Sequence, residues 1–271
     1  MRISLVALDL DDTLLAPDLT VPEANARAVR RVLASGIPVI LASGRTVESM
    51  MPYAIGLGMP GRGLPMICVN GAEIREVDGG AMLRRITLSP ADCSRVVEAL
   101  ARLGLPCQAY DEGTILVSER NPWTEEDSRL TGLPNRVATA AELASVPRSK
   151  LLAAGDPGRI QAALPEARRL LAGVAELLVS KPCFLEVLPP GADKAHALAW
   201  TAERLGVPRE EVMAVGDSGN DLGMVAWAGA GCAPADARAD VLAAARHVST
   251  LPHGEGAVAE LLSRLLPGAM V

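Results

Sequence analysis

Short apolar runs alternate with amphipathic segments in the first part of the chain. Residues 4–10, 37–42 and 66–69 are mainly apolar segments of strand length, which favours buried strands. Between them, residues 22–35 have the spacing of an amphipathic helix, and residues 47–57 are also predicted to be helical. This βαβαβ order predicts a parallel sheet with helices on both faces.

The alternation changes in the middle of the chain, at about residues 83–188, where the pattern predicts an inserted α+β module with an antiparallel sheet. Strand, helix and hairpin occur there twice, and a polar loop separates the two copies. In the first copy, residues 81–88 are the predicted strand, a helix begins at residue 89, and residues 107–118 are the hairpin. The polar loop is predicted at residues 121–135. In the second copy, the strand, helix and hairpin are residues 150–154, 157–172 and 174–188. Pro189-Pro190-Gly191 marks the end of the module.

The βα alternation then resumes. Predicted helices and strands follow one another at residues 193–205, 211–215, 222–227, 228–233, 235–245, 247–249 and 255–266. We therefore predict the α/β class, with a doubly wound parallel-sheet core made of residues 1–82 and 189–271. The inserted α+β domain is predicted at residues 83–188.

Composition narrows the range of partners. A formal net charge of −6 argues against a general nucleic-acid surface or an anionic-membrane surface. No apolar run is long enough to span a bilayer, and the acidic residues that begin at Asp9 lead us to expect no signal peptide before the first strand. The five cysteines form no C-x-x-C pair, which predicts a reducing, cytoplasmic location.

Two carboxylates follow the first predicted strand. In extended backbone, Asp9 and Asp11 point the same way, into the crevice beyond the strand ends. Two such charges favour a hard cation such as Mg²⁺, which prefers oxygen ligands. A polar turn with one Asp capping the next helix explains this segment equally well.

Three further groups occupy strand ends or helix starts. Ser43-Gly44-Arg45 follows the second strand, where a hydroxyl and backbone N–H groups can bind phosphate or simply cap a helix. Lys194 begins a helix, against the helix dipole, which suits an ammonium that meets an anion. Residues 216–221, Gly-Asp-Ser-Gly-Asn-Asp, crowd two carboxylates into one strand-to-helix turn. Together the four groups predict one site.

The order D-x-D-x-T, S-G-R, Lys and G-D-x-x-N-D resembles the haloacid dehalogenase superfamily of phosphotransferases. Residues 70–72, Asn-Gly-Ala, and residues 254–262 resemble its Cof-type branch, and the insertion resembles that branch's large α/β (C2-type) cap. The resemblance covers the whole chain. It implies an enzyme, a phosphatase that depends on Mg²⁺.

The resemblance also implies roles for the acidic groups. Asp9 is the nucleophile that becomes an aspartyl-phosphate, and Asp11 is the general acid and base. The Asp9 carboxylate, the Asp11 backbone carbonyl and Asp217 are the implied Mg²⁺ ligands. Thr13 is expected to steady the loop, and Asp221 to orient Lys194 or a metal-bound water.

The phosphoryl group is expected to meet Ser43, Gly44, Lys194 and Asn220. Arg45 is also assigned to this substrate-binding group. It either reaches the leaving group or the cap, or forms an ion pair that fixes the loop.

Two positions depart from the Cof-type pattern. Asp12 stands where the branch often has Gly, and Asp236 stands where it usually has Asn. The three histidines, His196, His247 and His253, have no ligand spacing and receive no chemical role.

The leading hypothesis is an enzyme that hydrolyses small phosphorylated metabolites, such as sugar phosphates or nucleotide-like cofactors, as a monomer or homodimer. The alternatives are a phosphosugar mutase, a phosphatase dedicated to one disaccharide phosphate, a receiver-type signalling domain, and a non-catalytic binder of phosphorylated ligands.

Overall fold

The computed structural model describes residues 2–269. Contacts divide the chain into two compact units. The first unit comprises Met1–Arg84 and Asp193–Val271, and the second comprises Arg85–Ala192. The second unit is therefore an insertion between two halves of the first.

The structure contains strands in three sheets, together with helices that connect them. The strands are β1 (Leu5–Leu8), β2 (Val39–Leu41), β3 (Pro65–Cys68), β4 (Glu73–Glu76), β5 (Met82–Arg85), β6 (Cys107–Asp111), β7 (Thr114–Val117), β8 (Asn135–Val137), β9 (Leu151–Ala154), β10 (Glu176–Lys181), β11 (Phe184–Leu188), β12 (Val212–Val215), β13 (Ala230–Ala233) and β14 (His247–Val248). The α-helices are α1 (Glu23–Ala34), α2 (Val47–Gly56), α3 (Pro90–Arg102), α4 (Pro122–Thr131), α5 (Ala140–Ala144), α6 (Pro157–Leu170), α7 (Lys194–Arg204), α8 (Leu222–Trp227), α9 (Ala239–Ala244) and α10 (Ala257–Leu265). Among the described helices, none is both long and apolar enough to cross a membrane.

The first unit is built on a parallel sheet with the strand order β14-β13-β12-β1-β2. Every residue of β1, β2, β12 and β13 is buried, because helices cover both faces of such a sheet. The order runs outward on both sides from β1, as in doubly wound folds, whose ligands bind beyond the carboxyl ends of the central strands. The α/β fold class and parallel core predicted from the sequence are confirmed.

The third predicted strand is a partial exception to the parallel sheet. β3 meets β2 through one parallel bridge, between Ala42 and Ile67, and its full pairing is antiparallel with β4. The apolar pattern identifies a buried strand but does not reveal its pairing direction. The bridge still places the end of β3 beside the segment that follows β2.

The second unit contains one mixed sheet, with the order β10-β11-β9-β6-β7-β8. Alternate residues of β6, β9 and β11 join α3, α5 and α6 in one apolar cluster. The opposite face carries Leu152 and Phe184, which pack with Trp123 and Leu130 of α4. Both predicted hairpins, β6–β7 and β10–β11, are present and antiparallel.

Residues 121–135 are not the polar loop that the sequence suggested, because they contain α4. The Asn121 side chain accepts from the backbone N–H of Thr124, and Pro122 takes the first helical position. Gly132 ends the helix in a left-handed conformation, with φ of 73°. These start and stop signals are in the sequence, but the high polarity of the segment concealed them.

Candidate active site

The carboxyl ends of β1 and β12 bring two acidic loops together. Asp9 follows β1 directly, and its backbone N–H donates to the Val215 carbonyl over 3.0 Å. Asp217 lies just beyond Val215, on the neighbouring strand. Thr13 spans the two loops, because its hydroxyl donates to Asp217 Oδ1 over 2.9 Å. This bond joins the loop after β1 to the turn after β12, and the expected steadying role of Thr13 stays a prediction.

Lys194 also connects these two loops, because it contacts Asp9 in one and Asp221 in the other. Its side chain is fully buried, and Nζ lies 2.6 Å from Asp9 Oδ1 and 2.7 Å from Asp221 Oδ1. It is the first residue of α7, and Asp193 caps that helix by accepting from the His196 N–H. An ammonium buried in this way requires paired carboxylates, which Asp9 and Asp221 provide.

Asp221 organises the turn after β12. Its Oδ2 accepts from the backbone N–H of Ser218 over 3.1 Å, while Oδ1 accepts from Lys194. Gly216 makes this arrangement possible, since a Cβ at that position would lie 2.4 Å from the Asp221 Cβ. Asp221 thus contacts Lys194 directly, and the role of orienting Lys194 stays a prediction.

Burial raises the pKa values of Asp9 and Asp217. Burial, together with the charge of Asp221, raises the pKa of Asp9 well above its ordinary value, and Lys194 opposes the change only in part. Burial and Asp221 likewise raise the pKa of Asp217 to about 8. Burial alone lowers the pKa of Lys194, but Asp221 and Asp9 together raise it above its ordinary value. Lys194 is therefore charged, and the carboxylates around it exceed the positive charge available.

The segment after β2 forms a further part of the candidate site, beside the end of β3. Ser43 is buried, its N–H donates to the Ile67 carbonyl, and its carbonyl accepts from the Asn70 N–H over 3.0 Å. The Ser43 hydroxyl accepts from the Arg45 N–H over 3.3 Å. At Gly44, an added Cβ would lie 3.1 Å from the amide of Asn70, so the close approach of Asn70 explains the glycine.

Asn70 is a site residue that sequence reasoning did not assign. It is buried in a left-handed conformation, with φ of 52°, and its Oδ1 accepts from Asn220 Nδ2 over 2.9 Å. The next residue, Gly71, lies so close to α7 that a Cβ would meet the Asp193 carbonyl oxygen at 2.2 Å. The Asn-Gly pair therefore joins the Ser43 segment to the turn carrying Asn220 and to the start of α7. Its Asn-Gly turn signal was the clue in the sequence.

Arg45 forms a bidentate ion pair with Asp11. Nε lies 2.8 Å from Asp11 Oδ2, and Nη2 lies 2.7 Å from Asp11 Oδ1. The guanidinium also donates to the Ser49 hydroxyl and lies 5.6 Å from the centre of the Tyr53 ring. Although burial acts to lower it, the bond to Asp11 raises the pKa of Arg45. Arg45 thus forms an ion pair with Asp11 in this structure, and its assignment to the substrate-binding group stays a prediction.

The loop after β1 turns sharply at Asp12, which has φ of 55°. This explains why Gly suits the position, since glycine adopts positive φ without strain and Asp tolerates it better than most residues. The turn separates Asp11 from Asp9: the Asp11 side chain faces Arg45, while the Asp9 side chain faces Lys194.

Comparison with known proteins agrees with this geometry. The family model of haloacid dehalogenase-like hydrolases matches residues 6–262. The chain belongs to this family. A solved haloacid dehalogenase-like hydrolase from Bacteroides thetaiotaomicron is 31% identical, with a TM-score of 0.91 and coverage of 98% of this chain and 100% of that one.

Two curated relatives match at similar length. The Bacillus subtilis protein named "Putative phosphatase YxeH" is 28% identical over 268 residues, which cover 97% of this chain and 98% of that protein. The protein of Cronobacter sakazakii named HMP-PP phosphatase is 26% identical over 261 residues, or 96% of this chain and 94% of that protein. The predicted membership of the haloacid dehalogenase superfamily and the predicted enzyme class, a hydrolase, are confirmed. A receiver-type signalling domain is excluded.

Within this haloacid dehalogenase-like hydrolase, a set of oxygen donors suits a divalent cation. Carboxylate oxygens of Asp9, Asp217 and Asp221 all lie within 4.8 Å of one another. Oxygen ligands are those that Mg²⁺ prefers, and the raised pKa values of Asp9 and Asp217 mark negative charge that Lys194 does not fully compensate. The residues present therefore fit a hard divalent cation. The Asp11 side chain is not part of this set, which leaves its backbone carbonyl as the ligand proposed for that residue.

Proposed function

We propose that this chain is a Mg²⁺-dependent phosphatase that hydrolyses small phosphorylated metabolites through an aspartyl-phosphate on Asp9. The observation that carries the proposal is the position of Asp9, buried at the end of β1 between Lys194 and the turn that holds Asp217. The names of the two curated relatives, both phosphatases, support the same reaction.

The metal ligands proposed are the carboxylates of Asp9 and Asp217 and the backbone carbonyl of Asp11. When bound, Mg²⁺ would neutralise charge on the carboxylates and on the phosphoryl oxygens of the substrate. Asp221 holds Lys194 and the Ser218 N–H, so its proposed part is to fix the other groups.

In the first step, a carboxylate oxygen of Asp9 attacks phosphorus, and the bond from phosphorus to the leaving oxygen breaks. Lys194 holds Oδ1 of Asp9, so we assign the attack to Oδ2. Asp11 gives its proton to the leaving oxygen, which departs as an alcohol. Phosphoryl transfer depends mainly on positioning and charge compensation, and we assign both to Lys194 together with the Ser43 hydroxyl.

In the second step, Asp11 takes a proton from water as the water oxygen attacks phosphorus. The bond between phosphorus and Asp9 breaks, inorganic phosphate leaves, and the Asp9 carboxylate is restored. Arg45 affects both steps, because it contacts Asp11, the proposed acid and base. Its ion pair favours the charged form of Asp11, so we propose that Arg45 moves to the substrate when Asp11 carries the proton.

The inserted unit, Arg85–Ala192, is proposed as the cap that selects the leaving group. Asn220 is proposed to reach the phosphoryl group from its place beside Asn70. The cytoplasmic location and the monomeric or homodimeric state stay predictions.

The direct test is phosphate release from a panel of phosphomonoesters, including para-nitrophenyl phosphate, sugar phosphates and nucleotides. We expect release that requires Mg²⁺, stops with EDTA and returns when Mg²⁺ is restored. Transfer of phosphate between two positions of a sugar without release would indicate the mutase instead. Tight binding of phosphorylated ligands without turnover would indicate a binding protein.

The acidic site also predicts a dependence of stability on pH. The folded-state pKa values of Asp9 and Asp217 are raised, so protonation favours the folded, metal-free protein. This stabilisation is fully present below the ordinary value of 3.8 and is lost as the pH rises through the folded value, about 8 for Asp217. With EDTA present, we expect the melting temperature to fall between pH 6 and pH 8.5. Because Mg²⁺ competes with protons, it should raise the melting temperature more at pH 8.5.

The Asp217→Asn variant is the matched control for this measurement, because its amide does not titrate. It should show a smaller change in melting temperature between the two pH values and a weaker response to Mg²⁺. Equal pH dependence in the variant and the wild type would assign the effect to other groups.

A further inference from the structure

His253 lies between the two acidic residues that depart from the Cof-type pattern. Its Nδ1 lies 2.6 Å from Asp236 Oδ2, and its backbone N–H donates to Asp236 Oδ1 over 3.0 Å. Its Nε2 faces Asp12 Oδ1 at 3.8 Å. The two departures, far apart in sequence, are therefore connected through one imidazole.

The ring is held in a defined orientation. Only 18% of the His253 side chain is exposed, and Nε2 is buried with no hydrogen-bond partner among the described residues. Asp236 fixes the opposite nitrogen, so Nε2 can only point toward Asp12. The ring therefore lies between two carboxylates, with Asp236 at Nδ1 and Asp12 at Nε2.

The segment carrying His253 is anchored to the loop after β1. Gly254 lies so near that an added Cβ would be 3.3 Å from Pro17 Cδ. Asn25 is fully buried, donates to the Leu14 carbonyl over 3.2 Å and accepts from the Ala259 N–H of α10 over 3.0 Å. The C-terminal segment thus forms a fixed support on which a contact to Asp12 can act.

Asp12 is the residue at which such a support matters. It has φ of 55° and lies between Asp11, the proposed acid and base, and Thr13, which binds Asp217. A glycine would adopt this conformation without strain, whereas for Asp a contact that favours the turn adds stability. Its charge also adds to a site with four other carboxylates, which Lys194 and Arg45 compensate only in part.

We propose that His253 is a positioning residue for the reaction: held by Asp236, its ring keeps Asp12 in the left-handed turn and so sets the position of Asp11. This inference rests on the proposed function, because Asp11 is the group whose position it controls. In this proposal Asp236 acts through His253, whose Nδ1 it contacts.

The test compares His253→Ala in two backgrounds, the wild type and Asp12→Gly. In the wild type we expect kcat to fall about tenfold, since small errors in the position of a reacting group cost this much or more, while KM changes by less than about twofold. In Asp12→Gly, glycine takes the turn unaided, so the same substitution should change kcat by less than about twofold. His247→Ala removes a histidine elsewhere in the same unit and should leave kcat unchanged.

A second measurement does not depend on turnover. Amide hydrogen exchange of the metal-free protein should be faster in the peptide covering residues 10–15 of His253→Ala, and unchanged in α1. Equal loss of kcat in both backgrounds, or unchanged exchange in that peptide, would overturn the inference. If the wild type hydrolyses no phosphomonoester, the proposed function fails, and the exchange experiment still decides whether His253 holds the loop.

Discussion

Asp9→Asn should abolish phosphate release, with a loss of at least about 10⁴-fold in kcat. The amide that replaces the carboxylate is not a nucleophile, so no aspartyl-phosphate forms. The fold should survive, because the pKa of Asp9 is raised by burial and by Asp221, which means that the folded protein disfavours the charge that the substitution removes. Lys194 keeps Asp221 as a partner. Phosphate release and the melting temperature, measured on the same preparation, separate the two effects.

Asp18→Asn is the matched control for this experiment. Asp18 is an exposed carboxylate in the same unit, and its Oδ1 accepts from Thr20, a bond that the amide oxygen of Asn can also accept. The control should retain wild-type activity. Release by Asp9→Asn above about 1% of the wild-type rate would contradict the assignment of Asp9 as nucleophile.

In doubly wound folds, ligands bind beyond the carboxyl ends of the parallel strands, and this explains why much of the site could be predicted from the sequence. Asp9, Asp217 and Lys194 each follow a strand or begin a helix in the predicted parallel sheet. Because the carboxyl ends of parallel strands share one edge, residues about 200 positions apart meet there, as the Thr13–Asp217 bond shows. Predicting this required only the order of strands and helices.

Contacts that depend on backbone conformation could not be predicted in the same way. Period-two alternation places Asp9 and Asp11 on one side of a strand, but the left-handed turn at Asp12 directs Asp11 to Arg45 instead. The position of Asn70 depends on its own left-handed conformation and on the pairing of β3 with β4. The pattern of hydrophobic residues encodes neither of these features. His253 received no role because its partners, Asp12 and Asp236, become neighbours only through the C-terminal segment.

Lys194→Met should have the largest effect on stability. It leaves Asp9 and Asp221 buried without their shared cation, and breaking a buried ion pair from one side costs about 3–5 kcal/mol. For a unit of this size that corresponds to a fall in melting temperature of roughly 10 °C. Activity should fall by about 10³-fold or more, because the ammonium also compensates charge on the phosphoryl group. Lowering the pH should reduce the deficit, since protonation of Asp9 removes the uncompensated charge.

The pairing itself is tested by adding Asp9→Asn to Lys194→Met. If the deficit comes from an orphaned carboxylate, removing that charge should restore part of the melting temperature, so the double variant is more stable than Lys194→Met alone. A double variant that is less stable than either single variant would show that packing, and not charge, holds Lys194 in place. Arg27→Met removes a cation from an exposed pair with Glu23 in the same unit, and it should leave the melting temperature almost unchanged. The contrast between the two cations follows from burial, because Lys194 and its partners Asp9 and Asp221 are buried, whereas Arg27 and Glu23 are both exposed.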